Sequence, residues 1–446
     1  MFQLLTRTRL YVTLLMGLFL SAPTIFAETI NGSALEQNCQ LPSPVTREAL
    51  VRIAVECSAT QKAITSRWQA QKYNVNSAGS LDDPKVMIGI APQTFGDEKF
   101  DDGYIVEFSQ PLLWPGILAL REKAAAAQAD VWLERQSQEQ IVLARDVRLR
   151  VAQWQYHHQL LNINNQHQGL WQEFLVIVQS KYAAGTTNKS AVLQATHEHH
   201  LLLQESIELK ASIERDISQI KRLLNLPSST VMDTALLLSE APPMLPGNAV
   251  EKLKAQLARQ PSMQALDARK RHKNFELKLA EKDRYPTFTV MTRYNNLWMN
   301  NDQKWVVGVG FNLPFDFGKR ASREDSLRAE QMALRWEQQD LLIQLREQLV
   351  QADSYFQQAK SVHQLYQNEL LPLADENLIT ARNEYRSGKG DFLSLLTAQR
   401  QTLTTQRKAQ MAVRDQHAQF AQLTAAAGLV QLKDWSAILN LDILGR

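Results

Sequence analysis

Two pairs of short segments alternate apolar residues with small or polar ones, which is the pattern of β-strands. The first pair lies within residues 85–111 and the second within residues 287–312, and a polar loop separates the members of each pair. Alternation with a period of two over about 7–10 residues is typical of membrane-barrel strands, which face lipid on one side and water on the other. Tyr104, Tyr294 and Trp305 lie near predicted strand ends, where an aromatic girdle is expected. Two hairpins in a soluble sandwich are the alternative.

Long helices follow each strand pair. No proline interrupts Ile117–Ala184, and its 68 residues would extend about 100 Å at the rise of an α-helix. The corresponding segment Lys319–Ser387 contains one proline, Pro372. Shorter helices then return along each of them, so the sequence predicts long helical hairpins over residues 117–226 and 319–427.

The helical faces are rich in Gln, Ala, Arg and Glu rather than Leu. A two-stranded coiled coil would need strictly apolar a and d positions. Polar-rich helices of this length instead favour the wall of a wide tube with water on both sides, and a solvated rod is the alternative. The earlier helical segments Thr46–Asn76 and Ala249–Arg284 could stack end to end with the returning helices and complete that wall.

The two hairpins are copies of one pattern. Tyr-x-x-Gly occurs at each turn, and Leu and Ala follow at fixed distances, with a constant offset of 203 positions between the copies. The matching residues are Tyr182, Gly185, Leu193 and Ala195 in the first copy, and Tyr385, Gly388, Leu396 and Ala398 in the second. We therefore predict a first repeat over residues 28–226, a linker over 227–248, a second repeat over 249–429 and a C-terminal segment over 430–446.

The N-terminus has the features of a secretory signal over residues 1–27. Arg7 and Arg9 precede a short apolar run, and small residues lead to Ala27. Glu28, rather than the cysteine of a lipoprotein, follows the predicted cleavage point. An uncleaved anchor is the alternative, although the run is short for a membrane span.

Composition and charge narrow the class of protein further. Loss of Arg7 and Arg9 with the signal would lower the formal charge from +3 to +1, too close to neutrality to indicate a nucleic-acid partner. The two cysteines, Cys39 and Cys57, could form a disulfide in an oxidising compartment or remain two thiols.

Four strands are too few to close a barrel in a membrane, because open edges would leave backbone groups without partners. The smallest membrane barrels have about eight strands. A homotrimer would supply twelve, and its three chains would contribute their helices to one tube. The predicted fold is therefore mostly helical, with four strands per chain in a trimeric 12-stranded barrel.

These features resemble those of the TolC-like outer membrane efflux proteins, from about Leu41 to Leu429. The segments at residues 109–116 and 313–318, which precede the long helices, are similar to those of the heavy-metal (cobalt–zinc–cadmium) branch. The resemblance implies a trimeric channel with a β-barrel in the outer membrane and an α-barrel extending through the periplasm. Its partners would be a periplasmic adaptor, an inner-membrane pump and outer-membrane lipid.

In that family the Tyr-x-x-Gly turns lie at the periplasmic tip, where the channel meets the adaptor. By resemblance, Tyr182, Gly185, Leu193, Ala195, Tyr385, Gly388, Leu396 and Ala398 would form this docking tip. Family members close the tip with acidic residues at positions that hold Ser394 and Thr397 here. That gate does not carry over. Asp391 is the remaining gate candidate, although a solvated turn residue is the favoured interpretation.

Other chemistry is weakly indicated. His197 and His200 share one helical face, but a closed metal site needs about four ligands, so a solvated histidine patch is favoured. No catalytic set, phosphate loop or cofactor motif is present, and we predict neither an enzyme nor a cofactor. The duplicated pattern and the family resemblance together predict a passive outer membrane conduit of a tripartite efflux system. The resemblance to the heavy-metal branch implies heavy-metal cations as its cargo, and drugs, dyes or a secreted peptide are the alternatives. The alternative is a periplasmic helical scaffold or adaptor that never enters the membrane.

Overall fold

The structure, a computed structural model, describes most of the chain. It covers residues 41, 45–94, 103–232, 237–238, 241, 249–297, 303–315 and 317–431. The predicted signal peptide, most of the predicted linker and the C-terminal segment from residue 432 onward lie outside the described residues.

The order of elements repeats along the chain as helix, strand pair, long helix and returning helix. The first half contains α1 (Arg47–Cys57), α2 (Ala59–Ala78), β1 (Lys85–Ala91), β2 (Gly103–Leu112), α3 (Ile117–Ala183) and α4 (Lys189–Leu223). The second contains α5 (Ala249–Lys254), α6 (Pro261–Lys282), β3 (Phe288–Asn295), β4 (Trp305–Phe311), α7 (Lys319–Leu365), α8 (Leu371–Ser387) and α9 (Phe392–Ala426). Each strand pair lies where the alternation predicted it.

Both early helical segments are broken, which the sequence did not predict. At Ser58 the backbone leaves the helical region (φ −57°, ψ 132°), which separates α1 from α2. Pro261 lies in the first turn of α6, where its missing N–H costs nothing, and a 3₁₀ turn at Leu257–Arg259 precedes it.

The two long helices differ at one point. The 67 residues of α3 run without interruption, whereas a π-helical turn at Tyr366–Leu370 separates α7 from α8. Pro372 lies in the first turn of α8, and its ring and missing N–H disturb the hydrogen bonds of the preceding turn. The extra residue of a π turn accommodates this disturbance without ending the helical rod.

Each long helix is flanked by two shorter ones, as expected if the early helical segments stack end to end with the returning helices. Thr65 of α2 accepts a hydrogen bond from Gln136 of α3 (2.8 Å), and Glu205 of α4 accepts one from Asn164 of α3 (2.8 Å). Both helices therefore pack along α3, at different heights. In the second half α6 and α9 pack along α7 in the same way.

Apolar clusters and buried polar contacts hold these helices together. One cluster joins Leu257 and Met263 to Phe356 of α7 and Phe420 of α9. Nearby, the almost completely buried Arg148 of α3 binds both carboxylate oxygens of Glu48 (2.9 and 2.7 Å). A buried charge requires such a partner, so this pair fixes α1 against α3.

Two further findings concern membrane helices and cysteines. None of the helices in the described ranges carries a stretch long and apolar enough to cross a membrane. Cys57 is disulfide-bonded, while Cys39 lies outside the described residues.

The four strands form one antiparallel sheet in the order β1–β2–β3–β4. Val86 pairs with Phe108, Val106 pairs with Tyr294, and Val290 pairs with Val309. The central contact between β2 and β3 therefore joins the two halves of the chain in one sheet.

Candidate functional site

One face of the sheet is apolar across all four strands. Because successive side chains of a strand point to opposite faces, the register places the apolar members of every strand together. The exposed apolar residues of this face are Val86, Ile88, Ile90, Tyr104, Val106, Phe108, Leu112, Val290, Trp305, Val307, Val309 and Phe311. An exposed apolar surface of this extent on a sheet of about 25 Å would be costly in water and is suited to lipid.

Aromatic rings lie at both ends of the sheet. At one end, the ring centroid of Tyr294 lies 5.7 Å from that of Tyr104 and 5.2 Å from that of Trp305. At the helical end, Trp114 stacks on Tyr285 at 4.8 Å. The apolar face is thus bordered above and below by aromatic side chains, as at membrane–water interfaces.

The opposite face of the sheet carries a charged pair. Arg293 of β3 donates from Nε and Nη2 to Oε2 of Glu107 on β2, at 2.8 and 2.5 Å. Beside this pair, a Cβ on Gly308 would lie only 2.8 Å from Cε of Met291, so glycine leaves the room that the methionine occupies. The sheet thus has one continuous apolar face and one face that carries an ion pair.

At the other end of the long helices, the two hairpin turns have the same local geometry. Gly185 and Gly388 adopt positive φ values of +71° and +76°, where a side chain would be strained. Asn188 then caps α4 and Asp391 caps α9, each accepting from the backbone N–H three residues on.

The turns differ sharply in burial. Tyr385 and Leu396 are 4% and 5% exposed, whereas their counterparts Tyr182 and Leu193 are 47% and 59% exposed. Tyr385, Leu396 and Ala195 lie in one apolar cluster with Trp171, Phe174 and Val178 of α3. Ala398 is also buried. The second turn therefore packs on the first hairpin of the same chain.

Asp391 has a structural role in this turn. Its Oδ1 accepts from the Ser394 backbone N–H at 2.6 Å, and hydrogen bonds from Ser394 lower the pKa of the carboxyl group below its ordinary value. The residue is therefore the N-cap of α9. Whether it also gates a channel stays a prediction.

Ion pairs join the two hairpins, and they were not predicted from the sequence. Arg382 donates to Glu173 at 2.6 Å, and two further pairs join α9 to α4. Those pairs are Arg400–Glu198 and Arg407–Glu205. They border a groove over Trp171. Both arginines and both glutamates are spaced seven residues apart, which could have indicated facing helical surfaces.

His167 is a second buried group that the sequence analysis missed. Gln399 Nε2 donates to its Nδ1 (2.6 Å), and its Nε2 donates to Oε1 of Gln406 (2.8 Å), which is the pattern of a neutral ring. Burial lowers the pKa of His167 below 6.5, and the nearby Arg407 acts in the same direction. The carboxylates of Asp375 and Glu205 oppose this shift.

The histidine patch on α4 is not assembled into a metal centre. His197 and His200 are exposed. Within the part of the chain that the structure describes, no group of three or more His, Cys, Asp and Glu side chains is arranged to hold a metal ion.

Comparison with known proteins agrees with this architecture. Residues 253–429 match the outer membrane efflux protein family. No curated protein matches the chain in sequence. Among solved structures, the open state of the MtrE outer membrane channel of Neisseria gonorrhoeae superposes with a TM-score of 0.72 at 16% identity, over 86% of this chain and 89% of MtrE.

Two other channels are similar to the same extent. The outer-membrane channel OprN gives a TM-score of 0.71 at 16% identity, over 86% of this chain and 89% of that one. CusC gives 0.70 at 15% identity, over 86% of this chain and 92% of that one. The match over residues 253–429 relates that part of the chain to the outer membrane efflux proteins, and the three superpositions show that most of the chain has the fold of these outer membrane channels.

Proposed function

We propose that the protein is the outer membrane channel of a tripartite efflux system and acts as a passive conduit across the periplasm and outer membrane. The observation that carries this proposal is the two-faced sheet, apolar on one side and charged on the other, mounted on helices about 100 Å long. Lipid would cover the apolar face, and water would fill the space beside Glu107 and Arg293. The family is one of channels rather than enzymes, in line with the absence of catalytic motifs from the sequence.

A homotrimer would complete the barrel. Strands β1 and β4 form the two edges of the sheet, and pairing β4 of one chain with β1 of the next would give twelve strands without open edges. Helix α7 exposes Trp336, Ile343 and Val350 at intervals of seven residues, a stripe suited to a neighbouring helix. Both features support assembly through equivalent surfaces.

The two hairpin turns would form the tip that docks to a periplasmic adaptor. Four of the eight predicted tip residues, Ala195, Tyr385, Leu396 and Ala398, are buried and would hold the turns in place. Gly185 and Gly388 lie within the turns, where the adaptor would meet the chain. Asp391 would act as a gate only in addition to capping α9.

Substitution on the two faces of the sheet tests the membrane part of the proposal. Val307→Lys places a charge in the middle of the apolar face and should cost about 2–4 kcal/mol in a bilayer. Thr289→Lys, on the opposite face, is the matched control and should be tolerated. The measurement is the yield of heat-modifiable protein in outer-membrane fractions. Equal yields for the two variants would contradict the assignment of the faces.

Heavy-metal cations are the proposed cargo, on the resemblance of residues 109–116 and 313–318 to the heavy-metal branch. The test is growth of a deletion strain across divalent metals, copper, silver and common antibiotics. Sensitivity to a few metals, restored by a plasmid copy, would support this cargo. Sensitivity to dyes and antibiotics alone would retain the channel and reject metal export.

The second candidate is a periplasmic helical scaffold that never enters the membrane. The long polar-rich helices favour it, but it leaves the apolar sheet face without a partner. A monomer that fractionates with soluble periplasmic proteins would support the scaffold and reject the channel.

A further inference from the structure

A buried histidine lies in the contact between the two hairpins, near their turns. His167 of α3 is 2% exposed and lies about 24 Å along the helix from the first turn. Two amides of α9 hold its ring. Gln399 Nε2 donates to Nδ1 at 2.6 Å, and the ring Nε2 donates to Oε1 of Gln406 at 2.8 Å. The hydrogen bonds of this ring therefore join the first hairpin directly to the second.

As arranged, these hydrogen bonds are those of a neutral ring. Nδ1 of the neutral ring accepts, whereas both nitrogens of a protonated ring donate. A second proton would therefore place the N–H donors of His167 and Gln399 opposite each other. Gln399 is 1% exposed, and no donor among the described residues reaches its Oε1. Rotation of this amide would turn the oxygen towards a protonated Nδ1, so hydrogen bonding alone does not prevent protonation.

Burial and charge decide which form of the ring the contact favours. Arg407 of α9 opposes a charged ring, while Glu205 of α4 and Asp375 of α8 favour one. Arg407 already pairs with Glu205, and Asp375 Oδ1 accepts from Gln406 at 3.3 Å. Burial is the largest influence, and the pKa of His167 is lowered in spite of the two carboxylates. The packed contact therefore favours the neutral ring.

The duplication does not account for this arrangement. The position 203 residues after His167 holds Leu370, and the positions 203 residues before the two amides hold Thr196 and Leu203. Two leucines and a threonine cannot reproduce a histidine held between two amides. The set is therefore not part of the pattern that the two hairpins share.

We propose that His167 makes the contact between the hairpins sensitive to acid, so that protonation of its ring loosens α9 from α3 and favours opening of the periplasmic end of the tube. The reason is linkage, because a ring released into water binds a proton more readily than the packed ring does. The effect should begin as the pH falls below about 6.5, the ordinary pKa of histidine. This inference rests on the proposed channel function and adds a condition under which the channel opens.

Single-channel recording of the full-length protein in planar lipid bilayers tests the proposal. The wild-type channel should open several-fold more often at pH 5 than at pH 8, since a pKa lowered by one corresponds to about a tenfold change in an equilibrium constant. His167→Gln should lose this response, and His200→Gln, at an exposed histidine, should retain it. Gln399→Glu places a carboxylate beside Nδ1, where it stabilises the protonated ring within the contact, so this variant should stay closed in acid.

Hydrogen exchange of the same protein in detergent measures the contact itself. At each pH, protection of residues 164–171 is compared with that of residues 141–152, which lie in the same helix and contain no histidine. Exchange rates are divided by those of the unfolded sequence, so that the chemical effect of pH cancels. Relative protection of residues 164–171 should fall between pH 8 and pH 5 in the wild-type protein and stay constant in His167→Gln.

The outcomes separate this inference from the proposed function. The same acid response in His167→Gln as in the wild-type protein, in either measurement, would overturn the inference. Constant protection of residues 164–171 in the wild-type protein would do so as well, whether or not the variants fold. Absence of conducting channels at both pH values would overturn the channel, while hydrogen exchange would still test the histidine. Asp391 does not complicate the result, because its pKa lies below 3.8 and outside the range tested.

Discussion

The two Tyr-x-x-Gly turns share their backbone conformation and their capping, yet they stand in different environments. Gly185 and Gly388 have the same left-handed backbone, and Asn188 and Asp391 make the same capping hydrogen bond. Tyr385 and Leu396 are buried against the first hairpin, whereas their counterparts Tyr182 and Leu193 are largely exposed. A turn motif therefore specifies how the chain reverses direction. The surface around the turn decides whether the equivalent side chains are buried or exposed.

Removing the tyrosine ring should sharpen this comparison most. Tyr385→Ala would leave a cavity in the cluster with Trp171 and Phe174 and should cost about 3–5 kcal/mol of local stability. Tyr182→Ala should leave the stability of the isolated chain almost unchanged, because its ring is exposed. Hydrogen exchange of residues 371–400 in the detergent-dissociated chain measures both. Equal effects would mean that the burial difference has no energetic consequence.

Substitution of the turn glycines should lower the unfolding free energy by the same amount in both turns. Gly185→Ala and Gly388→Ala each place a Cβ on a left-handed residue, at a cost of about 1–2 kcal/mol. Nothing lies within 4 Å of the added Cβ at either position, so conformation alone should set the cost. The change in unfolding free energy should be similar for the two variants. A much larger loss at Gly388 would show that its burial, and not its φ, dominates.

The two N-caps should behave alike at neutral pH and differently in acid. Asn188→Ala should destabilise the start of α4 by about 1 kcal/mol, and Asp391→Ala should act in the same direction on α9. Since its pKa is lowered in the folded state, Asp391 contributes stability above its ordinary pKa of 3.8 that is lost as pH falls through the lowered value. Asn188 does not titrate. Hydrogen exchange of the first turn of each helix, measured against pH, would separate them.

The smallest expected effect concerns His167, which lies on the covered side. Its lowered pKa means that the unfolded chain binds a proton more readily, so the free energy of unfolding should fall as pH drops below about 6.5. His167→Gln should reduce this slope. Urea unfolding at pH 5 and 8 measures it, with exposed His200→Gln as control. An unchanged slope in the His167 variant would exclude this residue as the source.

Local patterns predicted much of the fold. Period-two alternation predicted the four strands, and uninterrupted helix-forming sequence predicted α3 over residues 117–184 against the observed Ile117–Ala183. The break at Ser58 was not predicted. Pro372 indicates that the hydrogen bonds of the preceding turn are disturbed, but not whether the helix ends there or continues through a π turn.

The candidate site was likewise predicted only in part from the sequence. Repetition in the sequence was sufficient to find both turns, and a short-range backbone conformation explains their glycines. Sequence could not reveal that Tyr385 is buried and Tyr182 exposed. The seven-residue spacing of the arginines and glutamates could indicate facing surfaces, but not that Arg400 meets Glu198, since this contact joins residues about 200 positions apart.

By itself the sequence determined the elements, because backbone propensity, capping and alternation act over a few residues. It also determined that two equivalent hairpins exist. Only the tertiary structure decided which hairpin covers the other and which charges are paired. It also decided that the apolar sides of the four strands form one continuous surface. Those properties depend on packing between distant segments, where burial and ion pairing arise from proximity in space rather than along the chain.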